Sequence, residues 1–318
     1  LSNSIGFEKL SPDLIIDSVE AALDENLTGF TQAYPSYINR VYEVHTEDGE
    51  RIIAKFYRPG RWSRAGLLEE HHFLYELDEA EIPVVAPFYL QDTTSLVSAE
   101  GIPFALFPKR SGRGFEAEDF NSYRRLGTLI GRVHLIGRQK PAEHRFRMKP
   151  SSVHEYLKNI IEEDLMPSGL GKTFQSLSDI LVQRLTEAFH NVPLQRIHGD
   201  LHRANILDRM EQGLLLIDFD DMMMGPPVQD LWLLLPDYRE FCKSEINALL
   251  EGYTSVCDFN YKTLDLIEPL RAMRMIYFLA WQVKQRQDKG FDKHFPDWGT
   301  NAFWNKEIID LQEQLNRI

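Results

Sequence analysis

The chain has 318 residues, 43% of them hydrophobic and 26% charged, which is ordinary for a globular protein and long enough for two lobes with a core each. A formal net charge of −13 repels nucleic-acid phosphates, so duplex binding is not expected. No apolar run approaches the roughly 18 residues that would cross a bilayer, so no membrane span is expected either.

Residues 1–6 lack the basic-then-apolar layout of a secretory signal, and a cytoplasmic location is expected. Residues 38–44 and 51–57 read as strands, joined across Asp48 and Gly49, a hairpin signal. The second run carries Lys55. A strand lysine among apolar neighbours needs an anion, and phosphate oxygens of ATP would supply one. The turn before the first run, around Pro35 and Ser36, offers backbone N–H groups and a hydroxyl to the same phosphates. A helix over residues 62–77 with Ser63 as N-cap follows. Its Glu69 and Glu70 are both candidates to pair with Lys55. Glu70 shares a face with Leu67 and Leu74, Glu69 with Phe73, and Glu69 is taken as the partner.

Short strands are expected near residues 88–90 and 104–107. The polar, glycine-containing stretch 109–114 is the best boundary, dividing a nucleotide-binding lobe (1–110) from a catalytic and substrate-binding lobe (111–318). Beyond it the pattern turns helical, over 119–136, 177–189, 228–235, 246–256 and 264–283. The two cysteines, Cys242 and Cys257, read as small core residues of a reducing compartment.

One stretch breaks the helical pattern. His198 and Asp200 are followed five residues later by Asn205, and an apolar run then ends in Asp218 and Phe219. This is the order of groups needed for Mg²⁺-dependent phosphoryl transfer. Asp200 would orient or deprotonate a hydroxyl, and Asn205 and Asp218 would hold the metal. Asp220 replaces the glycine usual after the Asp-Phe pair. Asp220 and Asp221 read equally as selectors of a cationic acceptor or as solvated loop acids. Asp230 either reaches back to the catalytic loop or favours the start of its own helix. His198 reads as a packing residue, with His202 and Arg203 facing the acceptor and Arg203 steadying the transferred group. A transition-metal hydrolase built on His198, Asp200 and His202 is an alternative, but it leaves Asn205 without a role.

With these residues assembled, the chain resembles the aminoglycoside-phosphotransferase and choline-kinase-like branch of the kinase fold. More closely, it looks like the bacterial stress response kinase A (RdoA or YihE) family. The supporting stretches are 36–42, 55–62, 68–71, 198–207, 225–232 and 267–274. The resemblance implies an α+β, bilobal fold with a small β-rich N-lobe and a larger, mainly helical C-lobe. It implies a cytoplasmic Ser/Thr protein kinase of the stress response, using ATP and Mg²⁺; a monomer is expected. Carried over by position, Asp200 and Asp218 are catalytic, Asn205 and Asp218 bind the metal, and Ser36 belongs to the ATP site with Lys55 and Glu69. Only eleven residues separate Asp218 from Asp230, too few for a long activation loop. A small-molecule hydroxyl kinase and a nucleotide-binding regulator without turnover therefore remain as alternatives.

Overall fold

A computed structural model describes residues 6–90, 94–117, 119–288 and 290–318. Residues 1–5, on which the reading of the N-terminus rested, lie outside the described residues. The first helix, α1 (Pro12–Leu23), starts at Ser11, whose hydroxyl accepts from the Leu14 N–H, with proline in the first turn. It buries Ile15, Val19 and Ala22 in one core with Val44, Ile52, Phe56 and Phe104 of the adjoining sheet.

That sheet is antiparallel, with strands β1 (Leu27–Tyr34), β2 (Arg40–Thr46), β3 (Arg51–Phe56), β4 (Val97–Ala99) and β5 (Ile102–Pro108) in the order β1-β2-β3-β5-β4. The β2–β3 hairpin is as expected and sets Lys55 opposite Val41 on one side and Ala105 on the other. Residues 88–90 do not form a strand. Phe88 donates to the Leu106 carbonyl and Leu90 bridges to Thr94, while Pro87 has no N–H with which to extend a ladder.

Helix α2 (Arg64–Glu79) begins at Ser63, whose hydroxyl accepts from the Gly66 N–H at 3.0 Å. Its Phe73, Leu74 and Leu77 are buried with residues of the helical remainder. The connection after β5 was expected to be a loop, but it ends in β6 (Arg113–Gly114), which pairs with β8 (Ile206–Asp208), itself paired with β9 (Leu214–Leu216). The remaining strands, β7 (Gln195–Ile197) and β10 (Met223–Gly225), pair antiparallel. These short strands frame the loops at 198–205 and 217–222.

Around them stand α3 (Phe120–Gly137), α4 (Pro150–Glu162), α5 (Leu170–Ala188), α6 (Gln229–Trp232), α7 (Lys243–Thr254), α8 (Ile267–Gln285), α9 (Phe291–His294) and α10 (Asn301–Leu315). α3 and α7 cross at backbone contact. A Cβ at Gly127 would sit 1.9 Å from the Leu249 carbonyl oxygen, and one at Gly252 equally close to that of Arg124. Cys242 and Cys257 are buried and free, as expected. No helix among the described residues is long and apolar enough to cross a membrane.

Candidate active site

The catalytic loop is fixed by one buried carboxylate. Asp230, at the start of α6, accepts from the His198 and Gly199 N–H groups at 2.8 Å each and from Nε2 of His134 at 3.0 Å. Of its two readings, the reach back to the loop is the one observed. Gly199 has φ +88°, and a Cβ there would lie 2.2 Å from the Asp221 carbonyl oxygen, so only glycine lets these segments cross. The ring of His198 is buried, with Nε2 donating to the Ile217 carbonyl at 2.9 Å, which agrees with a packing role.

Asp200 follows this loop. A 3-10 turn over Arg203–Asn205 brings the Asn205 amide back to donate to the Asp200 carbonyl at 2.9 Å. The Asn205 carbonyl accepts from the Ile217 N–H at 3.0 Å, which ties the end of β9 to the same loop. The β8–β9 hairpin thereby returns the chain to Asp218. This residue sits at φ 61°, ψ 66°, a left-handed conformation that costs a non-glycine residue on the order of 1–3 kcal/mol. Strain of this kind persists where surrounding contacts over-determine it.

Lys55 supplies the main contact. Its Nζ lies 2.8 Å from Oδ1 of Asp218 and 3.8 Å from Oδ1 of Asp220. Burial alone would discharge the ammonium, but Asp218 and Asp220 hold it charged, raising its pKa above the usual lysine value. Lys55 in turn lowers the pKa of Asp218. Asp220 is buried and shared, because Asn39 donates to its Oδ2 at 3.2 Å, Arg61 pairs with the same oxygen, and Arg145 donates to its backbone carbonyl. Arg61 also bonds Asp221 at 2.6 Å. Burial raises the Asp221 carboxyl; Arg61 opposes that rise, and Asp220, Asp200 and Asp218 add to it.

On the other side of the site, Oδ1 of Asp200 accepts from Arg274 at 2.7 Å, and Nε2 of His202 lies 3.5 Å from Oδ2. Burial pushes Asp200 up, yet His202 and Arg274 outweigh it and hold the carboxyl below its usual range. The same contact with Asp200 raises His202.

Two expectations are corrected. Glu69 does not meet Lys55; its two oxygens accept from the Glu143 and His144 N–H groups at 2.7 and 2.8 Å. Glu70, one position on, is the buried member, with Arg145 3.7 Å away; burial raises its carboxyl to about 7, and the charges of Lys55 and Arg145 oppose that rise. The face carrying Leu67, Glu70 and Leu74 is the one that packs inward. Arg203 turns away from Asp200, donating to the Tyr123 hydroxyl and the Leu234 carbonyl, and Arg274 stands in its place. Asp220 is no solvated loop acid. Ser36 is exposed, and its hydroxyl accepts from the Asn39 N–H at 3.3 Å, so the turn reaches the cluster through Asn39. The sequence reading missed Asn39, Arg61, Arg145 and Arg274. The replacement of glycine by Asp220 was the one available signal for the first three.

The donor set suits a hard cation shared with phosphates. Asp218 is 52% exposed at its side chain, and the Asn205 amide is anchored through its nitrogen, which leaves oxygens free for a metal. Among the described residues no group of three His, Cys, Asp or Glu is placed to hold a metal ion.

A β-sheet capped by one helix, set against a helical body with these acids at the junction, is the aminoglycoside-phosphotransferase-like kinase fold. Amicoumacin kinase hAmiN superposes with a TM-score of 0.73 at 18% identity over 95% of this chain and 92% of its own. Choline kinase LicA from Streptococcus pneumoniae gives 0.67 at 15% identity over 96% and 99%. Residues 31–267 match the model of the phosphotransferase enzyme family. The chain is 36% identical over 321 aligned residues to Stress response kinase A of Salmonella paratyphi A, covering 98% of this chain and 94% of that protein. It is equally similar to Stress response kinase A of Escherichia coli and to the serine/threonine protein kinase RdoA of Salmonella typhimurium. The chain therefore belongs to the phosphotransferase enzyme family and, within it, to the stress response kinase A group; it is a kinase, with ATP as co-substrate.

Proposed function

We propose that the chain is a Mg²⁺-dependent Ser/Thr protein kinase acting in the bacterial stress response, a cytoplasmic monomer with a nucleotide lobe over 1–110 and a catalytic lobe over 111–318. Lys55 and the turn around Ser36 hold the phosphates, with adenine near residues 107–111. Asp218 and Asn205 would hold Mg²⁺, which when bound neutralises charge on the phosphate oxygens. Asp200 takes the proton of the acceptor hydroxyl as its oxygen bonds the γ-phosphorus and ADP leaves. The observation that carries this reading is the return of the β8–β9 hairpin, which sets Asp218 on Lys55 beside the loop that bears Asp200 and Asn205. The names of the relatives support a Ser/Thr acceptor and a stress role.

A second reading, a small-molecule hydroxyl kinase, is favoured by the twelve-residue step from Asp218 to Asp230 and by fold neighbours titled amicoumacin kinase and choline kinase. Transfer from γ-labelled ATP, with the protein alone and with a generic basic protein acceptor, separates the two. Label on Ser or Thr is the expected result. Bound ATP without protein label would move the acceptor to a metabolite.

A further inference from the structure

Two arginines three residues apart on α8 are used differently. Arg271 is tied into the fold, donating to Glu268 at 3.1 Å and to the Asp237 carbonyl at 3.0 Å, with its guanidinium 4.9 Å from the ring centres of both Trp232 and Tyr238. Arg274 is 42% exposed at its side chain, and its one described polar contact is Oδ1 of Asp200 at 2.7 Å. An ion pair made by so exposed a guanidinium adds little to stability, so the fold gives no reason for it. Its partner is the group read above as the proton acceptor.

The helix that carries it is held at both ends. Glu268 at its start accepts from Gln314 of α10 at 2.9 Å and from the Arg239 N–H at 2.9 Å, and Gln285 at its end accepts from Arg58. Between them, the Trp281 ring packs edge-on to Tyr37 with centroids 5.0 Å apart. A planar guanidinium on a rigid helix fixes a carboxylate more sharply than a flexible ammonium would. Among the described residues, the ion pair recorded at the second oxygen of Asp200 is with Nε2 of His202, at 3.5 Å.

We propose that Arg274 is the positioning residue of the acceptor side: by holding Oδ1 it fixes the carboxylate of Asp200 and leaves Oδ2 to meet the acceptor hydroxyl. The hydroxyl proton passes to Oδ2 as the oxygen bonds the γ-phosphorus and the bond to ADP breaks. This rests on the assignment of Asp200 as proton acceptor.

The test compares Arg274→Gln, Arg274→Lys, Asp200→Asn and the Arg274→Gln, Asp200→Asn double variant in label transfer from ATP to a basic protein acceptor, with thermal unfolding as the control for folding. Misplacing a reacting group by about 1 Å costs up to about a hundredfold. Arg274→Gln should therefore lower kcat roughly ten- to a hundredfold, with KM for ATP and acceptor changed by no more than about twofold. Arg274→Lys should recover part of the loss. In the Asp200→Asn background the Arg274 change should remove little more, because both act through one carboxylate. Unchanged kcat in Arg274→Gln overturns the proposal, as does a raised acceptor KM at unchanged kcat, which would mark an acceptor-binding cation instead. Wild-type turnover in Asp200→Asn overturns the assignment of Asp200 itself. If Arg274→Gln fails to fold, Arg274→Lys decides: a kcat below wild type is expected, and wild-type kcat in that variant overturns the proposal.

Discussion

Asp230 is the residue whose loss the structure prices most clearly. It is 1% exposed and serves two backbone N–H donors of the catalytic loop together with the His134 ring. Asp230→Ala leaves both N–H groups buried without an acceptor, at about 1–3 kcal/mol each, and bonds to an ionised carboxylate lie toward the upper end. The expected loss is on the order of 4 kcal/mol, a large part of the 5–15 kcal/mol typical of a folded domain. Asp230→Asn is the more informative change. It keeps the shape and one acceptor oxygen but turns an NH₂ toward a donor, for about 2 kcal/mol. At roughly 2–4 °C per kcal/mol for large domains, the Tm should fall by about 4–8 °C. Turnover should fall further than stability alone explains, since Asp200 follows Gly199 directly and tolerates little displacement. Thermal unfolding and kcat measured on the same preparation check both. An Asp230→Asn protein with unchanged Tm and full turnover would refute the claim that this carboxylate sets the loop.

Glu70→Gln should reduce ATP affinity or turnover on the order of tenfold by removing a buried carboxyl group that interacts electrostatically with Lys55 and Arg145, whereas Glu69→Gln should leave steady-state kinetics within about twofold. The opposite ranking would restore Glu69. Glu43 is buried, yet hydrogen bonds from Tyr34, His45 and Arg51 outweigh that burial and lower its carboxyl to about 2. Because its folded value is depressed, its stabilisation is present above the ordinary carboxylate range and is lost as pH falls toward about 2. Glu43→Gln should flatten the acid side of a stability–pH curve and cost on the order of 2 kcal/mol at neutral pH; an unchanged acid limb would contradict this. Asp218→Ala should abolish the Mg²⁺-dependent part of the nucleotide-induced thermal shift, and an unchanged Mg²⁺ titration would count against Asp218 as a ligand.

The hairpin carrying Lys55, the α2 cap at Ser63 and the β8–β9 return to Asp218 were legible because each rests on local rules: alternation, an Asp-Gly turn, a capping hydroxyl and fixed spacing. Helix α1, strand β1 and helices α4 and α10 were not read, and α6 is shorter than expected. Pro226 and Pro227 open it, but Pro236 and the turns before it close it early. In the site, what escaped was long-range. Nothing in the neighbourhood of Arg274 says that it meets Asp200, 74 positions away, and the Arg61 pairs span about twice that separation. The choice between Glu69 and Glu70 failed for a related reason. Both faces of α2 are occupied, one by the core and one by the backbone at 143–144, and local periodicity cannot say which of them also borders Lys55.

The most direct test of the central claim is Asp200→Asn assayed for ATP affinity and for turnover on the same protein. ATP binding close to wild type with turnover reduced on the order of a hundredfold or more is the expected result. Turnover equal to wild type would contradict the assignment of Asp200 and, with it, the mechanism built on the catalytic loop.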